Sequence, residues 1–247
     1  VLFSTGEQMA SALIAGKLCD LGFNSRSWMS WQIPIITRGN YSAARIIKIG
    51  TDQLKRYLKK GGTPIITGFQ GLNKESRLTT LERGGSDASA IMLAKFFKAK
   101  RCIIYTDVDG VYTTDPNLTK KAKKIKALSY EEMLEMSSLG AKVMQPASIQ
   151  DAKLNKVKID VKSSFTNKPG TQIIGRKKIK DVNIIRGVSF TKNDAKVSLL
   201  GVKDKPGVAA AIFEPLYKNS INVDMVVQNI SSDGKETDLT FTLSLIH

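Results

Sequence analysis

The chain of 247 residues has one histidine, His247 at its last position, and two cysteines, Cys19 and Cys102. A histidine general base and a histidine metal centre are both disfavoured, and no metal-ligating side-chain set is expected. The cysteines show no framework spacing, which points to a reducing, cytoplasmic setting. No apolar run approaches the roughly 20 residues a membrane helix needs, so no membrane partner is expected. Aromatics are 7% of the residues and form no stacking pattern. Acidic residues are also short, 22 against 38 Lys and Arg, for a formal charge of +16.

That basic excess raises a nucleic-acid reading. Lys120-Lys121-Ala122-Lys123-Lys124-Ile125-Lys126 and Arg176-Lys177-Lys178-Ile179-Lys180 could contact a phosphate backbone. Yet the lysines are spread along the chain, no nucleic-acid module accompanies them, and both runs fall where loops are expected. A solvated surface is the stronger reading. The length allows one large domain or two of ordinary size.

What is present is concentrated between Thr79 and Asp87, Thr-Thr-Leu-Glu-Arg-Gly-Gly-Ser-Asp. Arg83 offers a planar fork of donors suited to carboxylate or phosphate. Gly84 and Gly85 allow positive φ and close approach to a ligand. Ser86 and Asp87 are expected to open an apolar helix, Ala88 to Phe97, at the end where free N–H groups favour an anion. Glycine pairs before helices also occur in ordinary turns, so the context carries weight. A short strand, Cys102 to Tyr105, leads into Thr106-Asp107-Val108-Asp109-Gly110-Val111-Tyr112, and Pro64 to Ile66 is a buried-strand run before Thr67-Gly68-Phe69-Gln70-Gly71. Hydroxyls, carboxylates and glycine turns at strand ends are what nucleotide sites of open α/β sheets use.

Apolar strands alternate with helical stretches from Val1 to about Phe165, the pattern of a parallel sheet covered on both faces. Ser129 and Glu132 form a capping box with Leu128 and Met133 as hydrophobic staple, and the helix breaks near Gly140. Residues 166–182, polar and basic with Pro169-Gly170, are expected to be a linker. Beyond it, strand, helix, strand and strand follow within 183–247.

Ser4-Thr5-Gly6-Glu7, Gly68-Phe69-Gln70-Gly71, Arg83 to Asp87, Thr106 to Tyr112 and Ser138-Leu139-Gly140-Ala141-Lys142-Val143 occur in the order of aspartokinase. The chain thus resembles that family of the amino-acid kinase superfamily, and Gly201 to Leu243 resembles its regulatory ACT module. The resemblance implies an α/β fold, a three-layer sandwich with a mainly parallel central sheet in 1–165. An incomplete, ferredoxin-like α+β ACT module would follow in 183–247. It implies transfer of the ATP γ-phosphoryl to the β-carboxylate of L-aspartate, opening lysine, threonine and methionine biosynthesis. ATP would enter with Mg²⁺ and no tightly bound cofactor is implied. A carboxylate nucleophile needs no general base, so catalysis would rest on bringing two anions together and neutralising charge.

Carried over residue by residue, Glu7 would meet the amino group of aspartate, or else be an exposed helix-start acid. Arg83 would hold the α-carboxylate, with Gly84, Gly85, Ser86 and Asp87 around the substrate and Ser86 also near the transferred phosphoryl. Thr106, Asp107, Tyr112, Asp115, Lys142 and Val143 would line the ATP site, although Asp109 and Asp115 also suit simple turn capping. The ACT resemblance implies a lysine or threonine effector at Asp204, Lys205, Pro206, Gly207, Val208, Ala209, Asn222, Asp224 and Gln228, and a homodimer through paired ACT modules. Ordinary turn chemistry and strand polarity is the alternative for each.

Several positions depart from the family pattern. Its opening strand ending in Lys-Phe-Gly-Gly would precede Val1, and more ACT sequence would follow His247, so the chain is expected to be truncated at both ends. No catalytic residue is assignable without that lysine. Glu82, Asn117, Ala147 and Ser30 stand where glycine, arginine, arginine and glycine are usual. A non-catalytic remnant that retains at most effector binding is therefore the alternative function. Without the opening strand, unpaired sheet edges and uncovered apolar surface are expected.

Overall fold

Helix signals and strand signals alternate along the chain, and a computed structural model shows how they assemble. Residues 1–141, 143–179, 185–190, 194–203, 205–219, 221, 223–230 and 236–244 are described. The chain divides into two compact units, Val1–Ser189 and Phe190–His247.

The first unit runs α1 (Leu2–Asp20), β1 (Ser25–Trp28), β2 (Ile35–Asn40), β3 (Ala43–Ile49), α2 (Asp52–Lys59), β4 (Thr63–Ile66), β5 (Gln70–Leu72) and β6 (Leu78–Thr80). It continues with α3 (Gly85–Phe96), β7 (Cys102–Thr106), β8 (Ala127–Ser129), α4 (Tyr130–Ser138), α5 (Pro146–Asn155), β9 (Ile159–Ser163) and β10 (Thr171–Ile174). Parallel pairing joins β1 to β4 and β7 to β9, the expected α/β arrangement. The sheet content is nonetheless mixed. One four-stranded sheet has the order β7-β9-β10-β8, with β10 antiparallel to β9 and parallel to β8. A second has the order β3-β2-β5-β6.

The expected linker is corrected here, because Thr171–Ile174 lies in a sheet. Thr171 and Ile173 are fully buried and alternate with exposed Gln172, a period of two that a polar composition hides. Pro64 to Ile66 is also less buried than expected. All of β4 is half-exposed, and among the described residues it pairs with β1 alone.

Two apolar cores hold the unit. Ile91 of α3, Ile104 of β7, Leu128, Met133, Ile149, Ile159 and Ile173 belong to the larger. Trp28, Ile33, Ile35, Leu54 and Met92 form the smaller. Burying a side chain of this size contributes roughly 1.5–3 kcal/mol. The capping box forms as expected: Glu132 N–H donates to Ser129 Oγ at 3.1 Å, and Ser129 N–H donates to Glu132 Oε2 at 2.8 Å. Leu128 and Met133 are both fully buried in the larger core, and Gly140 leaves the helix at φ +112°.

The second unit contains β11 (Asp194–Lys203), α6 (Val208–Lys218), β12 (Val223–Ile230) and β13 (Glu236–Ser244). Its antiparallel sheet has the order β11-β13-β12. Leu239 and Phe241 of the central strand are buried, and Phe241 meets Phe213 of α6 edge to face at 5.3 Å. Among the described residues no helix is long and apolar enough to cross a membrane.

Candidate active site

Gly68-Phe69-Gln70 turns the chain from the C-terminal end of β4 into β5, where ligands of parallel sheets gather. Phe69 has φ +64°, a left-handed conformation that is an outlier for so bulky a residue. Its surroundings over-determine it. Phe69 N–H donates to Ser89 Oγ at 3.0 Å, and Phe69 C=O accepts from Leu81 N–H at 2.9 Å. The fully buried Gln70 donates from Nε2 to the carbonyls of Gly68 and Ser4, each at 3.3 Å. Gln8 Nε2 donates to Gln70 Oε1 at 3.0 Å and ties α1 to the turn. Glu7, half-buried, sits one residue before Gln8.

The glycine pair packs beside this turn. Gly84 has φ +80°, and a Cβ on it would lie 2.4 Å from Gln145 Cγ. A Cβ on Gly85 would lie 2.6 Å from Leu81 Cβ, and one on Gly68 3.4 Å from Ser86 Cα. Helix α3 starts at Gly85, not Ala88, so Ser86 and Asp87 do not cap it. The left-handed Gly84 takes the N-cap position and no side chain caps the helix. The first intrahelical bond of this turn runs from Ala88 N–H to Gly84 C=O at 3.1 Å. The amides of Gly85, Ser86 and Asp87 come before it, at the positive end of the helix.

Ser86 is exposed and Asp87 half-buried, with burial pushing the Asp87 carboxyl above its usual range. Arg83 is exposed and makes no ion pair among the described residues. Glu82 is exposed as well, so its charge has ready access to solvent. Arginine, glycine turn and uncapped helix together can hold a carboxylate or a phosphate.

A second cluster follows β7. Thr106 Oγ1 donates to Asp107 Oδ1 at 3.0 Å, and Ser164 N–H donates to the Thr106 carbonyl at 2.8 Å. Asp109 does more than cap a turn: it accepts from the Tyr112 hydroxyl at 2.7 Å and from Lys124 Nζ at 3.2 Å. The Tyr112 bond, followed by Lys124, holds the Asp109 carboxyl below its usual range, and the same bond pushes the Tyr112 phenol up. Thr171, fully buried, accepts from Val111 N–H at 2.8 Å and donates to the Ile125 carbonyl at 2.6 Å. Asp115 is exposed and accepts from Asn117 N–H at 2.8 Å, an Asx turn. Val143 packs against the larger core, and Lys142 lies outside the described residues. Ile91 of α3 shares the larger core with Ile104 and Val111, which flank the second cluster.

In the second unit a cavity of about 470 Å³ is lined by Lys205, Pro206, Gly207, Val208, Ala209 and Gln228, all expected effector residues. Val202, Lys203, Ile212, Thr237 and Leu239 complete the lining and had no local signal. Asp204 and Asn222 lie outside the described residues, and Asp224 falls in β12.

A glycine turn before an uncapped helix and a hydroxyl-and-carboxylate loop, both at the ends of α/β strands, are accompanied by a separate α+β unit. Residues 1–163 match the amino acid kinase family and residues 197–244 match the ACT domain. The chain belongs to the amino acid kinase family.

Among curated relatives, it is 42% identical over 244 residues to the aspartate kinase of Pseudomonas putida, covering 98% of this chain and 59% of the relative. It is 44% identical over 246 residues to the aspartokinase of Helicobacter pylori, covering 98% and 60%. The chain thus spans about three fifths of these relatives' length. Among solved structures, E. coli aspartokinase III in complex with aspartate and ADP superposes with a TM-score of 0.81 at 29% identity, covering 97% of this chain and 53% of that one. The same enzyme with lysine and aspartate gives 0.80 at 29% identity, with the same coverage.

The sequence did not single out Ser89, Ser148 and Thr171, and offered Lys124 only within a basic run and Gln70 only within a motif. Ser89 stands four residues after Gly85, the one local cue. Lys124, Ser148 and Thr171 meet their partners across 15 to 64 residues, and Gln70 reaches Ser4 across 66.

Proposed function

We propose that this chain phosphorylates the β-carboxylate of L-aspartate with ATP, as the kinase portion of an aspartokinase. The observation that carries this is the uncapped start of α3 at the left-handed Gly84, beside the exposed Arg83 and the strained Phe69 turn. Arg83 binds the aspartate α-carboxylate, and Glu7 on α1 meets its amino group. The amides of Gly85 and Ser86 face the transferred phosphoryl, where fixed donors stabilise developing charge without reorganising. Thr106, Asp107, Tyr112, Asp115, Lys142 and Val143 bind ATP, which arrives with Mg²⁺ as the substrate complex. The acceptor carboxylate is already ionised, so no residue acts as a base.

The cavity beside Lys205–Ala209 and Gln228 binds a lysine or threonine effector, and the ACT modules pair two chains in the cytoplasm. A relative solved with aspartate and ADP, and again with lysine, supports both substrate and effector. ATP turnover coupled to ADP release tests the proposal, with L-aspartate and Mg²⁺ present and lysine or threonine added in turn. Aspartate-dependent turnover is expected. A rate equal to the no-enzyme control, with lysine or threonine still bound, would favour the effector-binding remnant.

A further inference from the structure

Two buried serines, from two different helices, hold the carbonyls of the glycine pair. Ser148, 1% exposed in the first turn of α5, donates from Oγ to the Gly84 carbonyl at 3.2 Å. Ser89, 2% exposed in α3, donates from Oγ to the Gly85 carbonyl at 2.8 Å. A serine bonding four residues back is common in helices. Ser89 does something further, because the same oxygen accepts the N–H of Phe69 at 3.0 Å from a different element. One hydroxyl therefore joins the strained turn to the first turn of α3.

Each peptide unit is planar, and its C=O and the following N–H point in opposite directions. Fixing the Gly84 carbonyl fixes the direction of the Gly85 N–H, and fixing the Gly85 carbonyl does the same for the Ser86 N–H. Those are the amides left free by the missing cap. Glycine is the residue most able to swing its peptide planes, and the serines add side-chain restraint to the intrahelical bond that Ala88 N–H already makes to the Gly84 carbonyl. Gly84 also cannot drift toward α5, because Gln145 already stands against its Cα.

We infer that Ser89 and Ser148 are positioning residues that lock the two peptide planes of the anion cradle, and that Ser89 also sets the Phe69 turn against it. This rests on the proposed kinase site, and the two are tested separately. Amide resonances of the full chain are followed during titration with ATP–Mg²⁺ and with L-aspartate, alongside amide hydrogen exchange without ligand. Ser89→Ala and Ser148→Ala should each weaken ATP–Mg²⁺ binding roughly tenfold and reduce the ligand-induced shifts at Gly85 and Ser86. Ser89→Thr, which keeps the hydroxyl, should restore binding to within about threefold. In Ser89→Ala the Phe69 amide should exchange roughly tenfold faster while core amides of β7 and β9 keep their rates. Alanine variants with unchanged affinity and unchanged Phe69 exchange would overturn the inference. Should Ser89→Ala fail to fold, Ser148→Ala and Ser89→Thr decide: full affinity in the first together with tenfold loss in the second contradicts it. No binding by the unsubstituted chain sinks the kinase reading instead, and the exchange of Phe69 then judges the clamp by itself.

Discussion

The phenol of Tyr112 donates to Asp109 Oδ1 at 2.7 Å while Lys124 Nζ takes the other carboxylate oxygen at 3.2 Å. The loop after β7 is thereby closed onto a lysine fifteen residues away. One of the basic residues that made the chain look like a nucleic-acid binder has a partner inside the kinase unit.

Asp109→Asn should cost about 1–2 kcal/mol, since the carboxylate is part-buried and bonded to both a phenol and an ammonium. The folded carboxyl titrates below its ordinary value. Its contribution is therefore present above about pH 3.9 and fades as pH falls through the folded pKa. Urea midpoints measured from neutral pH downward should show a shallower acid limb in Asp109→Asn than in the unsubstituted chain.

Gly84→Ala forces a non-glycine residue to φ +80° and drives a methyl into Gln145. The conformational cost alone is about 1–3 kcal/mol. Calorimetry should show the lower Tm, and ATP–Mg²⁺ affinity should fall with it because the start of α3 shifts. Gly175, which would meet nothing within 4 Å, is the control and should tolerate alanine.

Ser129→Ala removes one half of the capping box and should destabilise by about 1 kcal/mol. Glu132→Ala should cost more, about 2–3 kcal/mol. It removes the other half of the box and also the carboxylate that Arg176 and Arg186 approach. Denaturant midpoints of the two variants, compared at equal slope, check the order.

Cys102 is buried in β7, and burial, followed by Asp87 and Asp160, pushes its thiol up to about 11. Cys19 is exposed. A thiol reagent at pH 8 should modify Cys19 rapidly and Cys102 only after unfolding. Because the folded pKa is raised, the Cys102 contribution to stability is intact below about pH 8.5 and is lost as pH rises toward the folded value. Cys102→Ala should flatten that alkaline decline.

Features with a local cause were legible in the chain alone. Ser129 and Glu132 stand three residues apart, and the geometry of a helix start brings them together wherever the helix forms. Arg83 to Asp87 suggest an anion cradle through residue type and glycine freedom, read together with the neighbouring motifs. The helix boundary differs by three residues, since α3 starts at Gly85 rather than Ala88. Thr171 was assigned to a linker because its neighbours are polar, and its role depends on Val111 and Ile125, 60 and 46 residues away.

By itself the sequence determined the family, the order of its motifs and the chemical character of each loop, all of which follow from residue type at short spacing. The tertiary structure alone decided which groups hold those loops in working shape. The left-handed Phe69 is held by Ser89 and Leu81, with Gln70 bonding the Gly68 carbonyl beside it, and the glycine carbonyls are held by serines of two helices. Such restraints arise when distant segments pack against one another and their hydrogen bonds must be satisfied away from water. Apart from the four-residue spacing of Gly85 and Ser89, no local pattern carries that information.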